Sequence, residues 1–278
     1  MDIKSFQTIV KTEKKAHKYL LKHCLKGSKK LACPRCKNER VYALKKRYRC
    51  ASCRYDFSDF TGRWLGLVYI SPTQWLWIIK LFELEISTRK IAKQVGISYP
   101  TALKATTTIR KAILAHKADI NLSGEVEADE AYFGGRRKGN RGRGAAGKVP
   151  VFGILERNGV VSVDVVPNVS AKTLLDLTIK KVRRGSIVYT DRYKSYDSLM
   201  CCGYRHLTID HKKYFSSGKV YINGVEGFWS FAKERFIKYH GVSKSNFSLY
   251  LKEMEFRYNN RYNDIFETLV EYITDFVA

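Results

Sequence analysis

The sequence predicts an α/β protein, with a mixed-sheet domain preceded by two small modules. Three observations predict it: two CxxC pairs near the N-terminus, capped amphipathic helical patterns over 71–117, and strand patterns alternating with helical ones from about Ser123. At 278 residues, 45% of them hydrophobic and 13% aromatic, the chain can bury one large core besides the small modules.

Residues 1–65 read as a basic N-terminal segment holding a zinc ribbon. Cys33-Pro34-Arg35-Cys36 and Cys50-Ala51-Ser52-Cys53 are separated by thirteen residues. Each pair brings two thiolates to one ion on a tight turn, and two such turns complete a tetrahedral Zn²⁺ site. VYALKKRYRC between them alternates as a hairpin strand does. So small a module needs its metal for much of its folding free energy. From Lys29 to Arg54 there are ten Lys or Arg and one acid, Glu39, which points this module at phosphate.

Residues 71–118 read as a helix-turn-helix. Ser71-Pro72 is a cap followed by Pro at the first helical position, and Trp75, Ile78, Ile79 and Phe82 form a buried stripe. Ser87 or Thr88 caps a short helix through Val95, Gly96 supplies the turn, and Ser98 caps a longer helix suited to the major groove.

Residues 123–263 read as the large domain, with 264–278 left as a C-terminal tail. GEVEADEAYF, VPVFGILE and VVSVDVV are strands, the last two joined by the Asn158-Gly159 hairpin turn. SAKTLLDLTIKKV is a helix, GSIVYTD a buried strand, RYKSYDSLM a helix and RHLTI a short strand; helix resumes at Asn223. That order suits a mixed sheet of the ribonuclease-H type. Gly134–Lys148 holds six Gly, six Lys or Arg and no acid, and reads as a loop whose Arg136, Arg137, Lys138, Arg141 and Arg143 bind DNA. Its resemblance to an ATP-binding loop fails, because Val149 stands where a hydroxyl is needed and Pro150 opens a strand.

Composition narrows the partners. Lys and Arg number 51 against 26 Asp and Glu, a formal charge of +25, as expected for binding a polyanion such as nucleic acid. The longest apolar run, WLWIIKLF, is broken by Lys80 and is too short for a membrane span. No secretory signal pattern opens the chain, and four of the seven cysteines form CxxC pairs, so a reducing, cytoplasmic setting is expected.

Three acids carry the expected chemistry. Phosphodiester cleavage by two Mg²⁺ (or Mn²⁺) ions needs converging carboxylates. Asp129 lies in the first strand, Asp191 ends the fourth, and Glu226 lies on the polar stripe Asn223, Glu226, Ser230, Lys233 of the following helix. If the first and fourth strands pair, the two aspartates are neighbours. Glu127 and Glu130 compete with Asp129, Asp191 could instead cap a helix, and Glu226 could simply pair on a wet helix face.

DEAYFGG at 129–135, KVPVFGILERNG at 148–159, VYTDRYKSY at 188–196 and INGVEGFWSFAKERFIKYHG at 222–241 together resemble the ISXO-type bacterial insertion-sequence transposases. CPRC…YRCASCRYDFSDFTG at 33–62 and FRYNNR at 256–261 match as well. The resemblance implies that Asp129, Asp191 and Glu226 hold the metals, and that Lys233 contacts the transposon end. It further implies cleavage of 3′ ends, their joining to target duplex DNA, a homodimer or higher oligomer on DNA, and a place at the bacterial nucleoid. Ala131 and Arg63-Trp64 depart from the pattern, the latter where the ribbon joins the helices. A zinc-dependent regulator without catalysis and a structure-specific nuclease are the alternatives.

Overall fold

In the computed structural model the described residues are 1–27, 31–45, 47–116, 120–134, 148–191, 199–209, 220–239 and 241–277. They form two units, Met1–Lys117 with Tyr262–Ala278, and Ala118–Arg261. No helix among the described residues is long and apolar enough to cross a membrane.

The first unit is mainly helical and carries one small sheet. Helices α1 (Ile3–Val10) and α2 (Glu13–Leu25) start at Asp2 and Thr12, whose side chains accept the N–H groups of Ser5 and Lys15. Strands β1 (Val41–Ala43), β2 (Tyr48–Cys50) and β3 (Asp56–Phe57) make an antiparallel sheet. Helix α3 (Pro72–Glu83) opens with a full capping box between Ser71 and Gln74, and buries Trp75, Ile78, Ile79 and Phe82 as the apolar stripe requires. Gly96, left-handed at φ 70°, ends α4 (Thr88–Val95), and the Ser98 side chain caps α5 (Tyr99–Ala115).

Residues 264–278 are not a tail. Ile265–Thr274 is helix α9, which packs on α2, α3 and α5 with Phe266, Leu269, Val270 and Ile273 buried. Those four stand at i, i+3, i+4 and i+7, the spacing of one helix face. Arg63 explains why a large residue is tolerated where the ribbon meets the helices. It is buried, donates to the carbonyls of Cys24 at the end of α2 and Thr274 at the end of α9, and lies 4.2 Å from the centre of the Phe276 ring.

The second unit is a five-stranded sheet with helices. Strands β4 (Glu125–Phe133), β5 (Val149–Glu156) and β6 (Val161–Val165) form an antiparallel meander, and Asn158 takes a left-handed φ of 58° in the hairpin turn. After α6 (Ala171–Lys181), β7 (Ile187–Asp191) pairs in parallel with β4, and β8 (Arg205–Ile209) in parallel with β7. The order is β6-β5-β4-β7-β8, so the first and fourth strands of this unit are central neighbours. The helix expected over RYKSYDSLM falls largely outside the described residues.

One face of the sheet holds Val126, Ala128, Ile154 and Val188 with Leu174 of α6. The other holds Ala131, Phe133, Val163 and Tyr189, covered by α7 (Asn223–Ile237) and α8 (Phe247–Asn259). Helix α8 also satisfies the edge of β6. Asn259 accepts from Val161 N and donates to Val161 O at 2.8 and 2.9 Å, while Glu255 accepts from Val163 N at 2.7 Å and Lys252 donates to Val163 O. An edge strand offers unpaired backbone groups to other chains, and here side chains of a helix occupy them.

Candidate active site and metal centre

The four thiols of the ribbon form a built site. Cys33 and Cys36 lie on one turn and Cys50 and Cys53 on the other, with all four sulfurs within 4.8 Å of one another. The pairs Cys33–Cys53 and Cys36–Cys50 stand 3.6 and 3.5 Å apart. Four sulfurs about 2.3 Å from a central zinc would sit about 3.8 Å apart, so the set fits a tetrahedral Zn²⁺. Both turns share one backbone design. Lys37 N donates to Cys33 O at 2.9 Å and Arg54 N to Cys50 O at 3.1 Å, with Lys37 and Arg54 left-handed at φ 62° and 58°. The Cys53 backbone N–H, acting against the cost of burial, draws the Cys50 thiol down to about 7, toward the thiolate that binds metal.

The carboxylates gather in the second unit. Register pairs Ala128 of β4 with Thr190 of β7, so Asp129 and Asp191 are the next residues on adjacent parallel strands. By strand alternation both point to the face that carries Tyr189, Ala131 and α7. Glu226 stands exposed on α7, as do Asn223, Ser230 and Lys233, while Val225, Phe228, Trp229 and Ala232 are buried beneath them. Burial raises the Asp129 carboxyl to about 7, and the negative charges of Glu130, Asp191 and Glu226 add to the rise against a backbone hydrogen bond that lowers it. Among the described residues, the cysteines are the one set of three or more potential ligands whose donor atoms all lie within 4.8 Å.

Glu127 is already committed elsewhere. It is 1% exposed; one oxygen accepts Arg157 Nε at 2.9 Å and the other accepts the Val225 backbone N–H, in the first turn of α7, at 3.0 Å. Alternation turns Glu130 to the opposite face of β4 from Asp129. His206 meets the Thr190 hydroxyl at 2.8 Å, beside Asp191. Arg136, Arg137, Lys138, Arg141 and Arg143 lie outside the described residues.

Arg157, which only precedes the Asn158-Gly159 turn in the sequence, is a hub in the structure. Its guanidinium donates to Glu127, to Glu125 Oε2 at 2.7 Å and to the Tyr221 carbonyl at 2.7 Å. It lies 3.8 and 3.9 Å from the ring centres of Tyr189 and Tyr221. Burial works against its charge, and the carboxylates of Glu125 and Glu127 more than offset that, so its pKa is raised. The local acid content around residue 125 was the one hint available in the sequence.

Comparison with known proteins agrees with this architecture. Residues 121–259 match the model of the ISXO2-like transposase domain, and residues 11–56 that of the transposase zinc-ribbon domain. An uncharacterized transposase-like protein of Haemophilus influenzae is 47% identical over 96 residues, covering 34% of this chain and 78% of that protein. An uncharacterized protein in transposable element ISH50 of Halobacterium salinarum is 28% identical over 250 residues, 81% of this chain and 84% of that one. Among solved structures, a chain of a pre-cleavage Mos1 transpososome is 12% identical with a TM-score of 0.29, covering 73% of this chain and 79% of that one, a likeness too slight to bear weight. The two matched domains and the shared identity make this chain a member of the ISXO2-like transposase family, with a zinc-ribbon domain at its front.

Proposed function

We propose that the chain is a DNA transposase that binds the terminal inverted repeats of an insertion sequence, cleaves their 3′ ends and joins them to target DNA. Its second unit would be a ribonuclease-H-like catalytic domain with Asp129, Asp191 and Glu226 as the catalytic acids. The observation that carries this reading is the adjacency of Asp129 and Asp191 on paired parallel strands, on the face covered by the helix that bears Glu226.

The donor set fits two Mg²⁺ or Mn²⁺ ions: three carboxylates supply hard oxygen ligands, and a bound cation would relieve the cost of a negative charge at Asp129, which burial first, and the charges of Glu130, Asp191 and Glu226 after it, oppose. Such ions, when bound, supply charge stabilisation at the attacking and leaving oxygens of an in-line displacement. Asp129 and Asp191 hold fixed positions because both lie on central strands of one sheet. Glu226 completes the set from a helix whose buried face is packed on that sheet. Lys233, exposed two turns further along the same stripe, would meet the phosphates of a bound end, and the basic loop holding Arg136, Arg137, Lys138, Arg141 and Arg143 would add further phosphate contacts.

In the first unit, α4 and α5 would serve as a helix-turn-helix. Tyr99 and Lys104 are exposed in the first turns of α5, where a recognition helix meets base edges, and Arg89, Lys90 and Lys93 are exposed on α4. The zinc ribbon adds a basic surface for backbone phosphates. On DNA the chain would act as a homodimer or higher oligomer that holds the two ends together for coupled insertion. The test is cleavage and joining of a labelled terminal-repeat duplex in Mg²⁺. Cleavage without joining would reduce the reading to a nuclease, and binding without cleavage to a regulator.

A further inference from the structure

Beneath the three acids lies a second layer that repeats their layout. Glu127 is two residues before Asp129 on β4, and Tyr189 two before Asp191 on β7; the two are register partners. Val225 immediately precedes Glu226 on α7. Arg157 and Glu127 join all three elements. Glu127 takes the Val225 N–H and Arg157 Nε, while Arg157 holds the Tyr221 carbonyl just before α7 and is sandwiched between Tyr189 and Tyr221.

Stability alone does not account for this arrangement. A buried ion pair gains little over apolar side chains of the same volume, because desolvation offsets the attraction. What it does supply is directional contact: a carboxylate with both oxygens engaged fixes where the N-terminus of α7 meets β4. The fit is tight, since a Cβ on Gly224 would stand 2.8 Å from Glu127 Oε2 and 3.0 Å from Leu155 Cδ2. One residue beyond this contact is Glu226, and three residues beyond that Trp229 is seated over Gly153, the partner of Asp129. The rise and rotation of the helix bearing Glu226 are therefore set from two sides relative to the strand bearing Asp129.

We propose that Glu127 and Arg157 are positioning residues that hold Asp129, Asp191 and Glu226 at the separation a divalent cation requires. This rests on the reading of those three acids as metal ligands. Residues that orient metal ligands from behind typically change metal affinity or activity by about 10- to 100-fold when altered.

The experiment is Mn²⁺ binding by the full-length, zinc-loaded chain, followed by the electron paramagnetic resonance signal of free Mn²⁺, with cleavage of a terminal-repeat duplex measured in parallel. Glu127→Gln keeps the size and an acceptor for Val225 but weakens the hold on Arg157. Gly224→Ala leaves every charge in place and intrudes on the seat of α7, closest at Glu127 Oε2 and next at Leu155 Cδ2. Asp191→Asn reports the ligand set itself. The expected result is loss of site binding in Asp191→Asn, and binding roughly tenfold weaker in the other two, with cleavage recovering at raised Mn²⁺. A merely structural role would lower the melting temperature while leaving Mn²⁺ affinity at a temperature well below melting as in the parent chain. If Asp191→Asn loses the site while both other variants bind like the parent, the positioning role is overturned and the ligand reading stands. If Asp191→Asn binds Mn²⁺ unchanged, the ligand reading fails and the positioning role fails with it. Should Glu127→Gln not fold, Gly224→Ala decides alone.

Discussion

The indole of Trp229 lies across Gly153, so closely that a Cβ at the glycine would stand 2.5 Å from Cζ2 and 2.8 Å from Cη2 of the ring. Gly153 is the antiparallel partner of Asp129, and Trp229 is one turn beyond Glu226. Any side chain here must displace a rigid ring whose other neighbours, Phe133 and Phe228, are themselves packed. Gly153→Ala should cost about 1–3 kcal/mol, the usual range for overpacking a filled core. Trp229→Leu in the same chain should recover part of that loss. Denaturant melts of the two single variants and the double variant measure the coupling, and additive losses would show that the ring and the glycine do not meet as described.

Most of the second unit could be read from local pattern. The expected strands VPVFGILE and RHLTI match β5 and β8, and the Asn158 turn joins the predicted hairpin, because alternation and turn chemistry are local signals. The two CxxC turns were equally open to reading. Helix α9 was missed although Asp264 and the spacing of Phe266, Leu269, Val270 and Ile273 announce it; its partners α2, α3 and α5 lie far off in sequence. Glu127 was weighed as a rival to Asp129 because both share one face of β4. What separates them is non-local: Arg157 and the Val225 N–H reach Glu127 across 30 and 98 residues. On α8 the buried residues Phe247, Leu251 and Met254 stand at helical spacing, a local pattern, whereas the service of Lys252, Glu255 and Asn259 to the edge of β6 depends on sheet order, which periodicity does not encode.

That edge service makes Asn259 a sensitive position. Its amide satisfies both backbone groups of Val161, and Ala would leave them without a side-chain partner beneath α8. Asn259→Ala should destabilise the second unit by about 1–3 kcal/mol. It should also raise light scattering on mild heating, as an opened strand edge pairs between chains. Unchanged melting with no added scattering would argue that β6 needs no such cover.

Zinc should be present at one ion per chain. Cys33→Ser removes one ligand of a closed four-sulfur site and should release the ion, unfolding the ribbon while the melt of the second unit persists. Metal analysis of chain purified under reducing, chelator-free conditions checks the stoichiometry. An ion retained by the serine variant would point to a different ligand set.

Acid should loosen the first unit through Asp275. Burial pushes this carboxyl up, and hydrogen bonds from Lys26 and His116, with their charges, more than offset that, so its pKa is lowered. A carboxyl depressed in the folded state contributes stability above its unfolded value of about 3.9, and that contribution is lost as pH falls below it toward the folded value. Asp275→Asn should therefore melt lower than the parent at pH 6, and the gap should close as pH falls below about 4. A gap that stays constant across that range would mean that the charge of Asp275 is not what ties the end of α9 to α2 and α5.

The triad admits the sharpest contrast, through Asp191→Asn. The change keeps the size of the side chain and removes its charge. If Asp191 served only to cap the helix expected after it, Asn would cap about as well, and end cleavage should survive with stability nearly unchanged. If it shares cations with Asp129, the neutral amide gives up a charged ligand while the negative charge that helps raise Asp129 to about 7 also disappears. Cleavage and strand transfer should then both fall below detection, with gel-shift binding of the terminal repeat intact. Asp129→Asn and Glu226→Gln should fail in the same way, because groups that act as one unit do not lose activity additively. Glu130→Gln is the control: strand alternation turns Glu130 away from α7, so this variant should keep substantial activity despite its nearness to Asp129. An Asp191→Asn chain that cuts a labelled end at close to the parent rate would leave adjacency on the sheet without a catalytic meaning.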